Sequence, residues 1–246
     1  SDVCDYVIHA ASPVDPALYV HEPMQAMEDI ANGTSAVLNY ARHGNVKALL
    51  YLSSGAAYGS QSVEVDTLVE DSLSAPDLTL STSCYGEAKR YAELLCRVSG
   101  VPSIITRLFA FIGPYQDQNG SFAVPDFIRQ ATINKNIRIN SDGSAVRTYC
   151  YASDLTIGLW KLLLNGQPGE LYNLGSSAPC VSIRELAELV ANQIENTEVI
   201  VEGKLNCGSR SRYVPNTKKL KQFCSTQISL EEGLRRTLAS YSHSPN

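Results

Sequence analysis

No run of about 18 or more apolar residues occurs in this sequence of 246 residues, so no segment predicts a membrane-spanning helix. The sequence also lacks an excess of basic residues, since 20 Lys and Arg stand against 25 Asp and Glu and the net charge is -5. Affinity for a phosphate backbone comes from dense Lys and Arg. A nucleic-acid partner is therefore not expected.

The seven cysteines form no C-x-x-C pair, and no histidines lie near them at the spacing of metal ligands. This pattern favours neither a zinc site nor a disulfide framework. The first residues also lack the basic region and the long apolar run of a signal peptide. We therefore expect a cytoplasmic protein without a metal, in which reduced thiols pack in the core.

The sequence does contain short apolar runs that alternate with longer segments of helical periodicity, a pattern typical of a parallel sheet with crossover helices. In the first half this pattern predicts strands at 6–10, 47–54 and 102–109 and helices at 23–44 and 85–98. After a loop rich in Gly, Pro and Asn at 113–121, shorter elements are predicted. Those are helices near 122–134, 154–165, 182–194 and 229–241 and strands near 137–139, 147–151, 171–174 and 198–201. The second half predicts a smaller lobe packed against the sheet edge.

One motif is missing where the pattern would call for it. A doubly wound nucleotide-binding domain normally opens with a strand, a Gly-rich turn and a helix that holds a pyrophosphate. Neither G-x-G-x-x-G nor G-x-x-G-x-x-G occurs in the sequence. Either the chain begins in the middle of such a domain, or the domain is of another kind.

A tyrosine begins the helix predicted at 85–98, and Lys89 follows Tyr85 by four residues. Such a pair is weak evidence alone, but Ser53 and Ser54 end a predicted strand, where parallel sheets bind their ligands. A free tyrosine has a pKa of about 10, and a cation within about 4 to 6 Å lowers it. We expect Lys89 to acidify Tyr85 for proton transfer, Ser54 to hold a substrate hydroxyl, and a nicotinamide cofactor to accept hydride.

These residues belong to a longer series of collinear motifs. The motifs are "DYVIHAAS" (5–12), "NGTSAVLNYAR" (32–42), "YLSSGAAYG" (51–59), "YGEAKRYAELLC" (85–96), "ITRLFAFIGP" (105–114), "RTYCYASDLTIGLW" (147–160), "YNLGSS" (172–177), "VSIRELAELV" (181–190) and "SLEEGLRRTL" (229–238). In this order they resemble the extended short-chain dehydrogenase/reductases, in the NAD-dependent epimerase/dehydratase family that acts on nucleotide sugars. The resemblance covers essentially the whole chain.

The resemblance implies a Rossmann-type doubly wound α/β fold without its first strands at 1–114, and mainly a substrate-binding lobe at 115–246. A segment near 147–165 would return to the core domain. It implies NAD as cofactor, with NADP left open, a nucleoside-diphosphate sugar as substrate, and a possible homodimer. The implied catalytic residues are Ser54, Tyr85 and Lys89. The implied cofactor-binding residues are Ala10, Ala11, Ser12, Ser53, Tyr85, Lys89 and Phe109. The implied substrate-binding residues are Ser54, Tyr85, Ala110, Arg147 and Arg212 or its neighbour Arg210.

Two departures from the family limit what the resemblance implies. Some sixty to seventy residues with the first three strands should precede Ser1, so we expect a truncated chain, or else a natural half-domain that binds a sugar nucleotide or a partner without turnover. The 4,6-dehydratases usually carry an acidic pair after the catalytic Ser or Thr, where this sequence has Gly55 and Ala56. This ranks a 4-epimerase or 4-keto reductase slightly ahead of a dehydratase that borrows a group such as Glu87. A reductase of steroids or flavonoids is a third alternative.

Overall fold

The structure is a computed structural model that describes residues 4–13, 17–62, 64–117, 122–204 and 211–242. Within these ranges the α-helices, α1 to α7, are Leu18–His21, Pro23–His43, Cys84–Val98, Ala123–Asn134, Ala152–Asn165, Ile183–Ala191 and Leu230–Ser242. The strands, β1 to β11, are Tyr6–His9, Ala48–Ser54, Ser103–Leu108, Phe111–Ile112, Asn136–Ile139, Val146–Arg147, Cys150–Tyr151, Leu171–Leu174, Val181–Ser182, Glu198–Val201 and Arg212–Tyr213.

The main sheet has four parallel strands in the order β1-β2-β3-β8. Its register aligns the carboxyl ends of the strands, since Ser54 of β2 lies opposite Leu108 of β3, and Leu108 lies opposite Leu174 of β8. Residues that follow these strands therefore meet at one edge of the sheet, as the rule for parallel sheets predicts. The predicted parallel α/β fold is confirmed.

Helices cover both faces of the main sheet. Because neighbouring residues in a strand point to opposite faces, Leu49 and Tyr51 of β2 pack in the core beneath α2 and α3, whereas Leu50 packs in the core beneath α5. All three side chains are at most 1% exposed. The continuous apolar run of β2 thus follows from its burial on both faces.

A second layer of short sheets carries the rest of the chain. β5 pairs with β10, β6 lies between β11 and β9, and β4 pairs with β7. A separate apolar core joins α4, α6 and α7 to β5, with Phe127, Ile137, Leu186 and Leu234 among its buried members. The pairing of β11 with β6 matters most for function, since it brings residues near 213 beside Arg147.

One sequence-based expectation needs correction. The strand predicted near 147–151 is two strands, β6 and β7, which pair with different partners. β8 joins the main sheet beside β3. The division of domains at residue 114 stays a prediction.

The thiols are less uniformly buried than expected. Of the cysteines in the described ranges, Cys96 and Cys150 are buried, Cys84 and Cys224 are half-buried, and Cys4 and Cys180 are exposed. Cys207 lies outside the described residues. In the part of the chain that the structure describes, no helix has the length and apolar character needed to cross a membrane.

Candidate active site

The site begins where β2 ends in Ser54. The backbone turns there into a short 3-10 helix, Gly55–Tyr58, and the Ser54 hydroxyl accepts a hydrogen bond from the backbone N–H of Ala56 at 3.1 Å. This bond caps the turn and fixes the side chain of Ser54 at the carboxyl edge of the sheet.

Gly86 lets helix α3 approach this turn closely. A methyl group added to Gly86 would lie 2.5 Å from the carbonyl oxygen of Ala56, so only glycine permits the packing. The approach brings Tyr85 beside Ser54. Burial raises the pKa of Tyr85 above its ordinary value, and the neighbouring Ser54 hydroxyl opposes this by favouring the phenolate. The structure thus brings together the phenol and the hydroxyl that the sequence analysis paired.

Lys89 lies one turn further along α3 and is only 4% exposed. Its ammonium donates a hydrogen bond to the carbonyl oxygen of Leu52 at 2.9 Å and lies 5.8 Å from the centre of the Tyr85 ring. Burial lowers the pKa of Lys89 to about 8, and the carboxylate of Glu93 opposes that change. Lys89 is therefore a desolvated cation held by the main chain of β2.

The lowering of the Tyr85 pKa that we expected from Lys89 is not found in this structure, where the pKa is raised. The reason is that burial desolvates the phenol, and the Ser54 hydroxyl offsets this only in part. In this state Tyr85 is a protonated phenol, able to donate a hydrogen bond or a proton.

A buried polar network lies beneath the two serines, and the sequence analysis missed most of it. Ser53 donates a hydrogen bond of 2.5 Å to Glu93, and Arg107 of β3 makes two bonds to the same carboxylate at 2.9 and 2.7 Å. The guanidinium of Arg107 also lies 4.1 Å from the centre of the Tyr58 ring. Ser53 thus ties β2 to α3. Charged residues within apolar segments, such as Arg107 in "SIITRL", were the signal that could have revealed the pair.

The turn after β1, expected to lie along the cofactor, reaches Tyr85 through another tyrosine. Ala10 and Ala11 are exposed, and Ser12 is half-buried. Tyr19 of α1 donates a hydrogen bond to the carbonyl oxygen of Pro13 at 2.6 Å, and its ring packs on that of Tyr85 with centroids 4.7 Å apart. Tyr19 is a second residue that the sequence analysis missed.

Phe109 and Ala110 follow β3, and Phe109 is buried. Its ring packs against Tyr213, with centroids 4.5 Å apart, and the phenol of Tyr213 lies against Gly55. Tyr213 is a third missed residue, although it directly follows the predicted Arg212. The carbonyl of Ala110 accepts a hydrogen bond from the N–H of Cys150, which joins the core to the short sheet of β4 and β7.

The two predicted arginines differ in their surroundings. Arg147 donates to the carbonyl oxygens of Val146 and Ser211 and to the Ser211 hydroxyl, and no acidic side chain pairs with it among the described residues. Burial lowers its pKa. Arg212 instead donates to the carbonyl oxygen of Asp66 at 3.0 Å. Since neighbours in a strand point to opposite sides, Arg212 faces away from Tyr213 and Arg147.

Glu87 and His9 have ordinary partners. Glu87, the group that a dehydratase could borrow, is half-buried and lies 3.7 Å from Arg90, three residues further along α3. His9 is buried at the end of β1 and is hydrogen-bonded to Thr34 at 3.0 Å, as a core histidine should be. Arg210 lies outside the described residues.

The residues around Lys89 fit the nicotinamide ribose of a dinucleotide. An ammonium has three N–H donors, and beyond the bond to Leu52 the described residues give Lys89 no other hydrogen-bond partner. A buried cation with unused donors is costly unless a polar ligand completes it. Ribose hydroxyls are such a ligand.

Comparison with known proteins identifies the family. The model of the NAD dependent epimerase/dehydratase family matches residues 1–175, and the chain belongs to this family. The predicted resemblance and the expected use of NAD are thereby confirmed at the level of the family.

Relatives in sequence and in structure agree with this assignment. UDP-glucuronic acid decarboxylase 1 of Danio rerio is 29% identical over 244 residues, which is 97% of this chain and 57% of that protein. The UDP-glucose 4-epimerase of Thermotoga maritima, solved with UDP-glucose, is 25% identical with a TM-score of 0.84, over 97% of this chain and 77% of that one. RMD from Pseudomonas aeruginosa, solved with NADPH, has a TM-score of 0.85 at 24% identity, and the match covers 98% of this chain and 82% of that one.

Proposed function

We propose that the protein converts a nucleoside-diphosphate sugar with a nicotinamide cofactor, by reversible hydride transfer at C4 of the sugar. The observation that carries the proposal is the pairing of Tyr85 with Ser54 at the carboxyl edge of the sheet, with buried Lys89 one turn away. The chain spans 57% of the length of the zebrafish decarboxylase, so the activity is proposed for the full-length protein.

Each residue has a distinct role in this reaction. Ser54 accepts and donates hydrogen bonds, so it can hold the C4 hydroxyl of the sugar against Tyr85. Tyr85 moves the proton at that oxygen, removing it when the carbon is oxidised and returning it when the carbon is reduced. When bound, the nicotinamide ring supplies what no side chain has, since it accepts and returns a hydride and is positively charged when oxidised.

Arg147 binds the substrate at its diphosphate, which is remote from the reacting carbon. A half-buried guanidinium without a carboxylate partner fits an anion, and the fork of an arginine matches phosphate oxygens. A diphosphate bound there would place the sugar between β6 and the end of β2. The names of two relatives include UDP-glucuronic acid and UDP-glucose, so these are the first substrates to test.

Our ranking of the reaction types rests on the residues that follow Ser54. Position 55 is a buried glycine and position 56 an alanine, so neither supplies the carboxylic acid that elimination of a hydroxyl needs. A 4-epimerase or a 4-keto reductase needs only the proton transfer at O4. We rank these two ahead of a dehydratase. A homodimer, expected from the family, stays a prediction.

The experiment compares three forms of the full-length protein: wild type, Tyr85→Phe and Tyr91→Phe. Tyr91 is a matched control because it lies on the same helix and is 53% exposed. Each form is incubated with NAD or NADP and UDP-, dTDP-, GDP- or CDP-sugars, and products are resolved by anion-exchange chromatography and mass spectrometry. Tyr85→Phe should lose about a thousandfold or more in kcat, as expected when an acid/base group is removed.

The outcomes separate the alternatives. Near-normal turnover by Tyr85→Phe would refute the role of Tyr85. Binding of a sugar nucleotide in calorimetry without any turnover would favour a non-catalytic module. Failure of every nucleotide sugar to bind would favour the reductase of steroids or flavonoids.

A further inference from the structure

Tyr213 is the last residue of β11, and its side chain enters the candidate active site from the second layer. It lies opposite Arg147 of β6 in the sheet register, and the guanidinium of Arg147 is 5.7 Å from the centre of its ring. On the other side the ring packs on Phe109 at a tilt of 32°. The ring therefore lies between the arginine proposed to hold the diphosphate and the turn that carries Ser54.

The hydroxyl of Tyr213 occupies the space beside Gly55. A methyl group added to Gly55 would lie 2.3 Å from the phenolic oxygen and 2.7 Å from the ring carbon that bears it. Position 55 directly follows Ser54, and it is where the sequence analysis found no acidic side chain. The absence of a side chain at Gly55 leaves room for a hydroxyl supplied from another part of the chain.

The surroundings make this hydroxyl a hydrogen-bond donor. Burial raises the pKa of Tyr213 above its ordinary value, with Ser54 as the main opposing influence, so the phenol keeps its proton at neutral pH. It donates to the carbonyl oxygen of Leu108 at 3.3 Å, which is long for a bond between a hydroxyl and an oxygen. Such a bond is readily exchanged for a better acceptor.

We infer that Tyr213 contacts the substrate directly, donating a hydrogen bond to an oxygen of the sugar that lies between Ser54 and Arg147. The inference rests on the proposed function and extends it, since the two phenols have different tasks. Tyr85 transfers a proton, whereas Tyr213 makes and breaks no covalent bond and orients the ring of the sugar. On binding, Tyr213 gives up its bond to Leu108 for the bond to the sugar.

The test is Tyr213→Phe in the full-length protein, with Tyr115→Phe as a control on a tyrosine that is 97% exposed. Phenylalanine keeps the stacking on Phe109 and removes only the hydroxyl. Loss of one hydrogen bond to the substrate should lower kcat/KM roughly tenfold, with a matching loss of nucleotide-sugar affinity in calorimetry. The affinity for the cofactor and the shape of the pH profile should be unchanged, because the ring and Tyr85 remain, and the Tm should fall only slightly, because the lost bond to Leu108 is long.

A residue that only packs would give a different result. If Tyr213→Phe keeps kcat/KM and sugar affinity within about twofold of the wild type, the inference is overturned while the proposed function stands. A wild-type protein that neither binds nor converts a nucleotide sugar overturns both. Should Tyr213→Phe fail to fold, Gly55→Ala carries the same test, because its methyl group displaces the hydroxyl. Gly55→Ala with unchanged kcat/KM then contradicts the inference.

Discussion

Replacement of Lys89 by methionine should separate the stability of this protein from its activity. The wild-type ammonium is 4% exposed, and a lowering of its pKa from 10.5 to about 8 means that burial disfavours the charged form by about 3 kcal/mol. Methionine has a similar length and no charge, so Lys89→Met removes this cost. It also removes the hydrogen bond to Leu52, which is worth about 1.5 to 3 kcal/mol for a charged donor.

The removed cost of burying the charge and the lost hydrogen bond to Leu52 nearly cancel at neutral pH. We expect Lys89→Met to be as stable as the wild type or up to about 2 kcal/mol more stable, and to lose turnover with every nucleotide sugar. That result would mean that lysine at this position is kept for function at a cost in stability. Urea unfolding and turnover assays on the same preparation measure the two properties.

The pH dependence gives the decisive measurement. Above pH 8 the folded wild type releases the proton of Lys89, whereas the unfolded chain keeps it up to about pH 10.5, so the unfolded state binds more protons. The free energy of unfolding of the wild type should therefore rise relative to that of Lys89→Met, by up to about 1.4 kcal/mol per pH unit. The gain is complete above about pH 10.5 and is lost as the pH falls through about 8.

A lysine on the surface provides the control for this experiment. The side chain of Lys47 is 62% exposed, so the difference between wild type and Lys47→Met should not show the rise. The contributions of other titrating groups cancel when the free energy of unfolding of either variant is subtracted from that of the wild type. A difference between wild type and Lys89→Met that stays constant from about pH 7 to 10 would refute the claim that Lys89 is a desolvated cation.

Two further predictions concern the groups around this cation. Glu93→Gln should lower the free energy of unfolding by about 3 to 5 kcal/mol in urea, because it leaves Arg107 buried without its carboxylate, whereas Glu188→Gln on the surface should cost under about 1 kcal/mol. Equal losses in the two variants would contradict the buried ion pair. Arg147→Met should weaken nucleotide-sugar binding in calorimetry by about tenfold to a hundredfold and leave cofactor binding unchanged, since a charged hydrogen bond is lost. If exposed Arg184→Met weakens binding as much, Arg147 has no specific role.

The main sheet could be predicted because its strands are continuous apolar runs and its helices have a clear period. That prediction also located Ser54 and Tyr85, since the ends of parallel strands meet at one edge. The short strands of the second layer carry no such signal. β6 and β11 have two residues each, and the paired residues Arg147 and Tyr213 are 66 positions apart in the chain. Tyr213 therefore could not be assigned to the site from local sequence.

The direction of the pKa shift of Tyr85 could not be predicted for a different reason. Spacing in a helix shows that Lys89 lies one turn from Tyr85, but it does not show how deeply either group is buried. Desolvation of Tyr85 depends on packing by Tyr19 and on the close approach permitted by Gly86. Both are tertiary contacts that the spacing of residues does not show, and burial is the cause that raises the pKa of Tyr85.

The two adjacent serines at the end of β2 point in opposite directions and contact different partners. Side chains of neighbouring residues leave a strand on opposite sides. Ser53 turns toward α3 and bonds Glu93, while Ser54 faces the phenols of Tyr85 and Tyr213. Since Glu93 is on the helix that carries Tyr85, the bond from Ser53 fixes the distance between that helix and β2. In the proposed reaction Ser53 does no chemistry but holds Ser54 and Tyr85 in place, so loss of Ser53 should reduce turnover without removing any group that touches the substrate.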